Sequence, residues 1–308
     1  MNSDKLIRDL AKRKSWRLVQ CIDLGTTADI FIIEKGTRRF ALKTPRDPLS
    51  NSLSLKTEYL VLQHLNQTPM KQYVPNIFEW VQEVNGFLME YLCYPGQGCE
   101  TKPDTIGVLA LILKSLHALE IPTALDIGDD RPDIIAAISK RFRDVFQMVL
   151  KGHSFWALLP KEDLLKLEIV RRHYETYNNL LSTFETIAND KKVALTHGDL
   201  AGDNIMLSED GRLVLADWGE TRISSPLTDI ALLFTHSHWS PDDVHRFIRL
   251  YFDEDSVNVK RELSTIQVLS KLYRYRSCVQ SLLWLKEEGM DGLDSIGREH
   301  FDRLLVTL

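Results

Sequence analysis

Three polar side chains stand at spacings that suit the transfer of a phosphoryl group. Asp199 and Asn204 lie in the run Leu-Thr-His-Gly-Asp-Leu-Ala-Gly-Asp-Asn-Ile-Met-Leu over 195–207, and Asp217-Trp218-Gly219 begins thirteen positions after Asn204. That reaction needs one carboxylate beside an acceptor hydroxyl and two further oxygen ligands that hold magnesium on the phosphates. A single Asp in a turn is more often a cap or an Asx-turn. The three together, each cluster preceded by an apolar run, point to chemistry instead.

The elements that would position them can be read from periodicity. Val193–Leu195, Ile205–Leu207 and Leu213–Ala216 are short apolar runs, and Asp210-Gly211 is a turn that joins the last two as a hairpin, so Asp199, Asn204 and Asp217 can converge at one edge. Residues 16–22, 28–33 and 39–43 read as strands, with a turn at Glu34-Lys-Gly36. Leu55, Tyr59, Leu62 and Leu65 mark a helix over 53–65. Two strands, 77–84 and 87–92, are joined at Asn85-Gly86. From Pro95-Gly96 onward helices dominate: 106–119, 133–150 with Asp133 as its cap, 161–188, 241–253, 261–288 and 295–307. Residues 1–17 read only as a polar, Lys/Arg-rich segment.

Composition narrows the class. A chain of 308 residues with 44% hydrophobic content can bury a large core. It has no apolar run of membrane-spanning length and no charged-then-apolar leader, which predicts a cytoplasmic protein that neither crosses nor binds a membrane. Four scattered cysteines without zinc-ligand spacing predict reduced thiols. The net charge of -5 is uneven: residues 1–199 carry +1 and residues 200–308 carry -6. An acidic C-terminal third disfavours nucleic acid and favours a cationic acceptor, although a solvated acidic surface would give the same count.

The pattern H-x-D-x-x-x-x-N followed by D-W-G resembles the kinase catalytic loop and its D-F-G. With Gly198 after the histidine and no lysine two places after Asp199, it is most similar to the aminoglycoside phosphotransferase and choline kinase family of small-molecule kinases. The resemblance implies an α+β, two-lobed, protein-kinase-like fold, with a small antiparallel-sheet N-lobe over 1–92 and a larger helical C-lobe over 93–308. It implies ATP (or GTP) and Mg2+ as cofactors, and a small-molecule hydroxyl as acceptor. Asp199 then matches the catalytic carboxylate, and Asn204 and Asp217 match the magnesium ligands. Lys43 resembles the strand lysine that contacts the α- and β-phosphates, with Glu58 as its helix partner. Gly25, Thr26 and Thr27 fall where a phosphate-covering loop should be. Backbone groups around Glu90 and Leu92 fall at the interlobe hinge, where adenine would bind. His197 and Asp229 are expected to brace the catalytic loop without taking part in proton transfer.

Two other readings stay open at this stage. A protein kinase would need a long activation segment as a peptide platform, and only twelve positions separate Asp217 from Asp229. A kinase-fold nucleotide-binding protein without turnover would be signalled by a lost Lys43, Asp199, Asn204 or Asp217, and all four are present. The acceptor is less constrained. An aromatic cage for a quaternary ammonium could draw on Trp218, Trp239, Tyr273, Tyr275 and Trp284, although core packing of one long helix accounts better for the last three. Carboxylates for a polycationic antibiotic could come from Glu220, Asp242, Asp243, Glu287 and Glu288.

Overall fold

The structure is a computed structural model that describes residues 3–22, 28–46, 52–93, 103–121, 125–150, 161–188, 192–237, 239–253 and 259–288. The chain divides into two compact units, one made of residues 1–128, 194–223 and 238–251, the other of 129–193, 224–237 and 252–308.

The first unit opens with a helix that the sequence reading missed, α1 (Ser3–Arg13). Its basic residues mask a narrow stripe in which Ile7, Leu10 and Ala11 are buried against Phe31, Ile33, Leu42 and Leu88. The sheet beneath it is antiparallel throughout, with β1 (Arg17–Ile22), β2 (Ala28–Lys35), β3 (Arg38–Pro45), β4 (Ile77–Val81) and β5 (Gly86–Glu90) in the order β1-β2-β3-β5-β4. The helix α2 (Ser52–Leu65) buries Leu55, Val61, Leu62 and Leu65 and packs against β3, β4 and β5. Gly86 is required by its neighbours, because a Cβ there would lie 2.3 Å from the Lys43 carbonyl oxygen. The connection before it is longer than the expected two-residue turn: four residues, a 3-10 turn over Gln82–Val84 followed by Asn85 at φ 48°, join Val81 to Gly86.

The same unit contains β6 (Leu92–Cys93), which pairs with the hairpin of β9 (Ile205–Ser208) and β10 (Leu213–Leu215) in the order β10-β9-β6. It also holds α3 (Pro103–Leu116) and β8 (Ala194–Thr196). Two short strands, β7 (Gly128–Asp129) and β11 (Arg222–Ser224), lie at its edges in sequence.

The second unit is helical. The expected helix over 161–188 is interrupted at His173, giving α5 (Lys161–Arg172) and α6 (Tyr174–Ile187) after α4 (Ile134–Leu150). Asp133 caps α4, its Oδ1 accepting the Ala136 N–H at 2.9 Å. A further helix, α7 (Pro226–His236), starts at a Ser225 cap with Pro226 inside it; it is buried from Pro226 through Leu233, so it carries no amphipathic stripe to read. The last helix of this unit, α9 (Val259–Glu288), packs against α4, α6 and α7, and Tyr275 stacks on Tyr177 with ring centroids 4.2 Å apart. Between these two in sequence, α8 (Pro241–Phe252) belongs mostly to the first unit. The helix expected over 295–307 lies outside the described residues. Among the described residues no helix is long and apolar enough to cross a membrane.

Candidate active site

The β9–β10 hairpin sets the geometry. Ile205 pairs with Leu215, and the Ala216 N–H donates to the Asn204 carbonyl at 2.8 Å, so Asn204 and Asp217 leave the hairpin side by side. Asp217 has a left-handed backbone, φ 61°, a region that aspartate enters more readily than most non-glycine residues. The Asn204 amide donates to the Asp199 carbonyl at 2.7 Å and to Asp199 Oδ2 at 3.1 Å. That leaves the Asn204 amide oxygen free to face a cation.

His197 is fully buried beneath this loop. Its Nε2 lies 2.9 Å from the Ala216 carbonyl, to which it donates, and its Nδ1 accepts the Asp199 N–H at 3.3 Å. One ring therefore ties the loop that carries Asp199 to the end of β10. Gly198 turns at φ 86°, and a Cβ there would sit 2.1 Å from the Glu220 carbonyl oxygen. Only glycine allows the two backbones to approach so closely.

Lys43 comes to the same place from β3. Its Nζ lies 3.0 and 2.9 Å from the two Glu58 oxygens and 2.9 Å from Asp217 Oδ1. Lys43 and Glu58 are buried, whereas the Asp217 side chain is 49% exposed. Burial works against the Lys43 charge, but the two carboxylates outweigh it and raise its pKa above the ordinary lysine value. The Lys43 ammonium in turn holds the Asp217 carboxyl below the usual carboxylate range. Asp199 shifts the other way: burial first, then the negative charges of Asp217 and Glu220, push its carboxyl up.

This donor set fits a hard divalent cation. It offers an ionised carboxylate and a neutral amide oxygen, both partly exposed, with negative charge in excess of the one ammonium. Among the described residues no three His, Cys, Asp or Glu side chains form a ready-made metal cage. Magnesium that shares phosphate oxygens needs only one or two protein ligands.

A sequence model described as the phosphotransferase enzyme family, APH, matches residues 19–264, most of the chain and all of the cluster just described. The chain belongs to the phosphotransferase enzyme family. No curated protein matches this phosphotransferase in sequence. Its fold is that of solved structures at low identity. The aminoglycoside phosphotransferase APH(2'')-Ib, ADP-bound, is 17% identical, with a TM-score of 0.62 over 98% of this chain and 97% of that one. The ethanolamine kinase of Plasmodium vivax is 18% identical, with a TM-score of 0.65 over 96% and 82%. The wild-type aminoglycoside 2'-phosphotransferase-IIIa in its GDP complex is 14% identical, with a TM-score of 0.66 over 100% and 99%. The phosphotransferase accordingly has the α+β, two-lobed, protein-kinase-like fold of these enzymes.

Of the other residues singled out by sequence, some are described. Gly25, Thr26, Thr27 and the Pro95-Gly96 hinge lie outside the described residues. The Glu90 N–H is already donated to the Asn76 carbonyl at 2.8 Å, so only other backbone groups near it, and those of Leu92 on β6, remain for a base. Asp229 is wholly buried in the first turn of α7.

Two aromatic candidates for the acceptor are corrected by burial. Trp218 is fully enclosed: its N–H donates to Glu58 Oε1 at 3.3 Å, its indole Nε1 donates to the Leu215 carbonyl at 2.8 Å, and its ring packs on His197. Tyr275 is enclosed in the second unit and donates to the Val170 carbonyl at 2.9 Å. Neither offers a face to a ligand. Trp239 is half-buried against Phe247, and Asp242 is exposed in the first turn of α8, where Asp243 and Ser240 cap each other. Glu287 lies in the last turn of α9, and its side chain is outside the described residues. Glu220 is the acidic candidate beside the catalytic loop, its side chain 61% exposed and 3.5 Å from Arg222.

Sequence reasoning passed over Arg212 and Asn76. Arg212 donates from Nη2 to both Glu90 oxygens at 2.7 Å, and Asn76 adds two more bonds to Glu90 Oε2. No motif marks either residue, because each acts through a partner more than a hundred or only fourteen positions away that local spacing does not reveal.

Proposed function

We propose that this phosphotransferase moves the γ-phosphoryl group of ATP or GTP to a hydroxyl of a small, cationic molecule. The observation that carries the reading is the single cluster of Lys43, Glu58, Asp199, Asn204 and Asp217 in one compact unit. Lys43, fixed by Glu58, would hold the α- and β-phosphates. Asn204 and Asp217 would hold magnesium, which when bound neutralises charge on the transferring phosphoryl oxygens. Asp199 would accept the acceptor hydroxyl's proton as the new phosphorus–oxygen bond forms and the bond to the leaving nucleoside diphosphate breaks. Its Oδ2 is held by Asn204, which leaves Oδ1 for the hydroxyl. A loose transition state asks mainly for this positioning, so Asp199 need not be a strong base.

A small acceptor is supported by the short path from Asp217 through β11 to α7, which leaves no platform for a peptide. A cationic one is supported by the -6 balance of residues 200–308 and by exposed Glu220 beside the loop. The deciding experiment is a phosphate-transfer screen of purified protein against amino-alcohols, aminoglycosides, macrolides and sugars. Turnover of amino-alcohols or amine-bearing antibiotics is expected, with kcat/KM falling as salt screens the acidic surface over about 8 Å. A flat salt response, or turnover of neutral sugars alone, would remove the cationic acceptor and leave the kinase reaction standing.

A further inference from the structure

The β9–β10 hairpin has two working ends. Its open end carries Asn204 and Asp217; its closed end carries Arg212 in the turn after Gly211. The Arg212 guanidinium reaches out of the hairpin to three neighbouring points. It donates from Nη1 to the Gln72 carbonyl at 2.9 Å and the Val74 carbonyl at 3.3 Å, and from Nη2 to both oxygens of Glu90, the last residue of β5. Its backbone N–H is meanwhile held by Ser208 Oγ at 2.9 Å. The hairpin also meets β6 through two residue pairs, Leu92 with Ser208 and Cys93 with Leu207, and Val214 and Ala216 pack on Leu92. The Arg212 and Glu90 side chains are only 23% and 20% exposed, so their charge-assisted bonds are screened less than those of a surface pair.

We propose that Arg212 is a positioning residue, a latch that fixes the metal-ligand end of the hairpin at a set distance from the strand end that would hold the base. The proposal rests on the functional reading above. A nucleotide held at both ends needs that distance fixed, because the base and the metal-bound phosphates are parts of one rigid ligand. Glu90 would stay in place without Arg212, since Asn76 gives it two bonds of its own at 3.0 and 2.9 Å. Loss of Arg212 therefore loosens the closed end of the hairpin, which β6 still pairs, and leaves the end of β5 anchored. A lysine cannot replace it: one ammonium cannot span two carboxylate oxygens and two backbone carbonyls as a planar fork can.

The test is calorimetric titration of the full chain with ADP, once with Mg2+ and once in EDTA, for wild type, Arg212→Ala and Arg212→Lys. Wild type should bind more tightly with the metal. In both variants that metal-dependent gain should shrink by about tenfold, the usual reach of a residue that orients metal ligands, while ADP affinity in EDTA stays near wild type. Variants that melt earlier but keep the full metal-dependent gain would show an ordinary stabilising ion pair and overturn the latch. Should Arg212→Ala fail to fold, Arg212→Lys, which keeps the charge, decides alone. A wild type whose ADP affinity ignores Mg2+ would instead bring down the functional reading, and the latch with it.

Discussion

Lys43 and Asp217, 174 positions apart, meet at 2.9 Å. The same ammonium also bridges both oxygens of Glu58, so one positive charge faces two carboxylates. The imbalance leaves net negative charge at the exposed side of Asp217, which is where a divalent cation would gain most. The relationship is built from three elements: β3 supplies the lysine, α2 the glutamate, and the β9–β10 hairpin the aspartate.

Removing Lys43 leaves Glu58 buried without its cation. Lys43→Met is expected to lose about 3 kcal/mol of unfolding free energy, the order expected when one partner of a buried ion pair is deleted. Lys43→Met combined with Glu58→Gln should recover much of that loss without recovering turnover. Urea denaturation of the two variants measures both effects. A single variant as stable as wild type would show that Lys43 and Glu58 do not depend on each other.

Much of this arrangement can be read from the sequence because it is local. Asp199, Asn204 and Asp217 are bound to one hairpin whose turn, Asp210-Gly211, is written in its residue types, and Gly211 indeed turns at φ 82°. Lys43 sits near the end of a strand and Glu58 nearly two turns into a helix, elements visible by period. What could not be read depends on partners distant in sequence. Nothing local says that Arg212 meets Glu90, or that Trp218 is sealed under the catalytic loop by Glu58 and Leu215. Helix α1 was hidden by its lysines and arginines, and α7 by being apolar on every side.

Gly198 should tolerate no side chain. Its Cβ would meet the Glu220 carbonyl, a backbone atom that cannot turn aside, so Gly198→Ala must move the loop that carries Asp199. A displacement of about 1 Å at the reacting groups can cost on the order of a hundredfold in kcat. Gly36→Ala is the control, since Gly36 also has positive φ but has nothing within 4 Å. It should lose about 1 kcal/mol of stability and keep its kcat. Similar kcat values for the two variants would refute the close-approach argument.

The pH dependence follows from Asp199. Its carboxyl is raised above the ordinary 3.8 by burial and by the charges of Asp217 and Glu220. A proton acceptor works only when ionised, so kcat/KM should rise with pH through this raised value, placing the acidic limb above that of a free aspartate. Glu220→Gln removes one of the charges that raise it, and the limb should move to lower pH. Rate profiles of wild type and variant read this directly. An unmoved limb would mean that Glu220 does not act on Asp199.

The central claim is that Asp217 serves the metal and Asp199 serves the acceptor, and calorimetric titration with a non-hydrolysable Mg-ATP analogue tests it most directly. Asp199→Ala should abolish turnover and keep nucleotide affinity close to wild type, because Asn204 retains its 2.7 Å bond to the residue-199 carbonyl. Asp217→Ala should abolish the metal-dependent part of the affinity. Equal loss of affinity in both variants, or none in Asp217→Ala, would contradict the account.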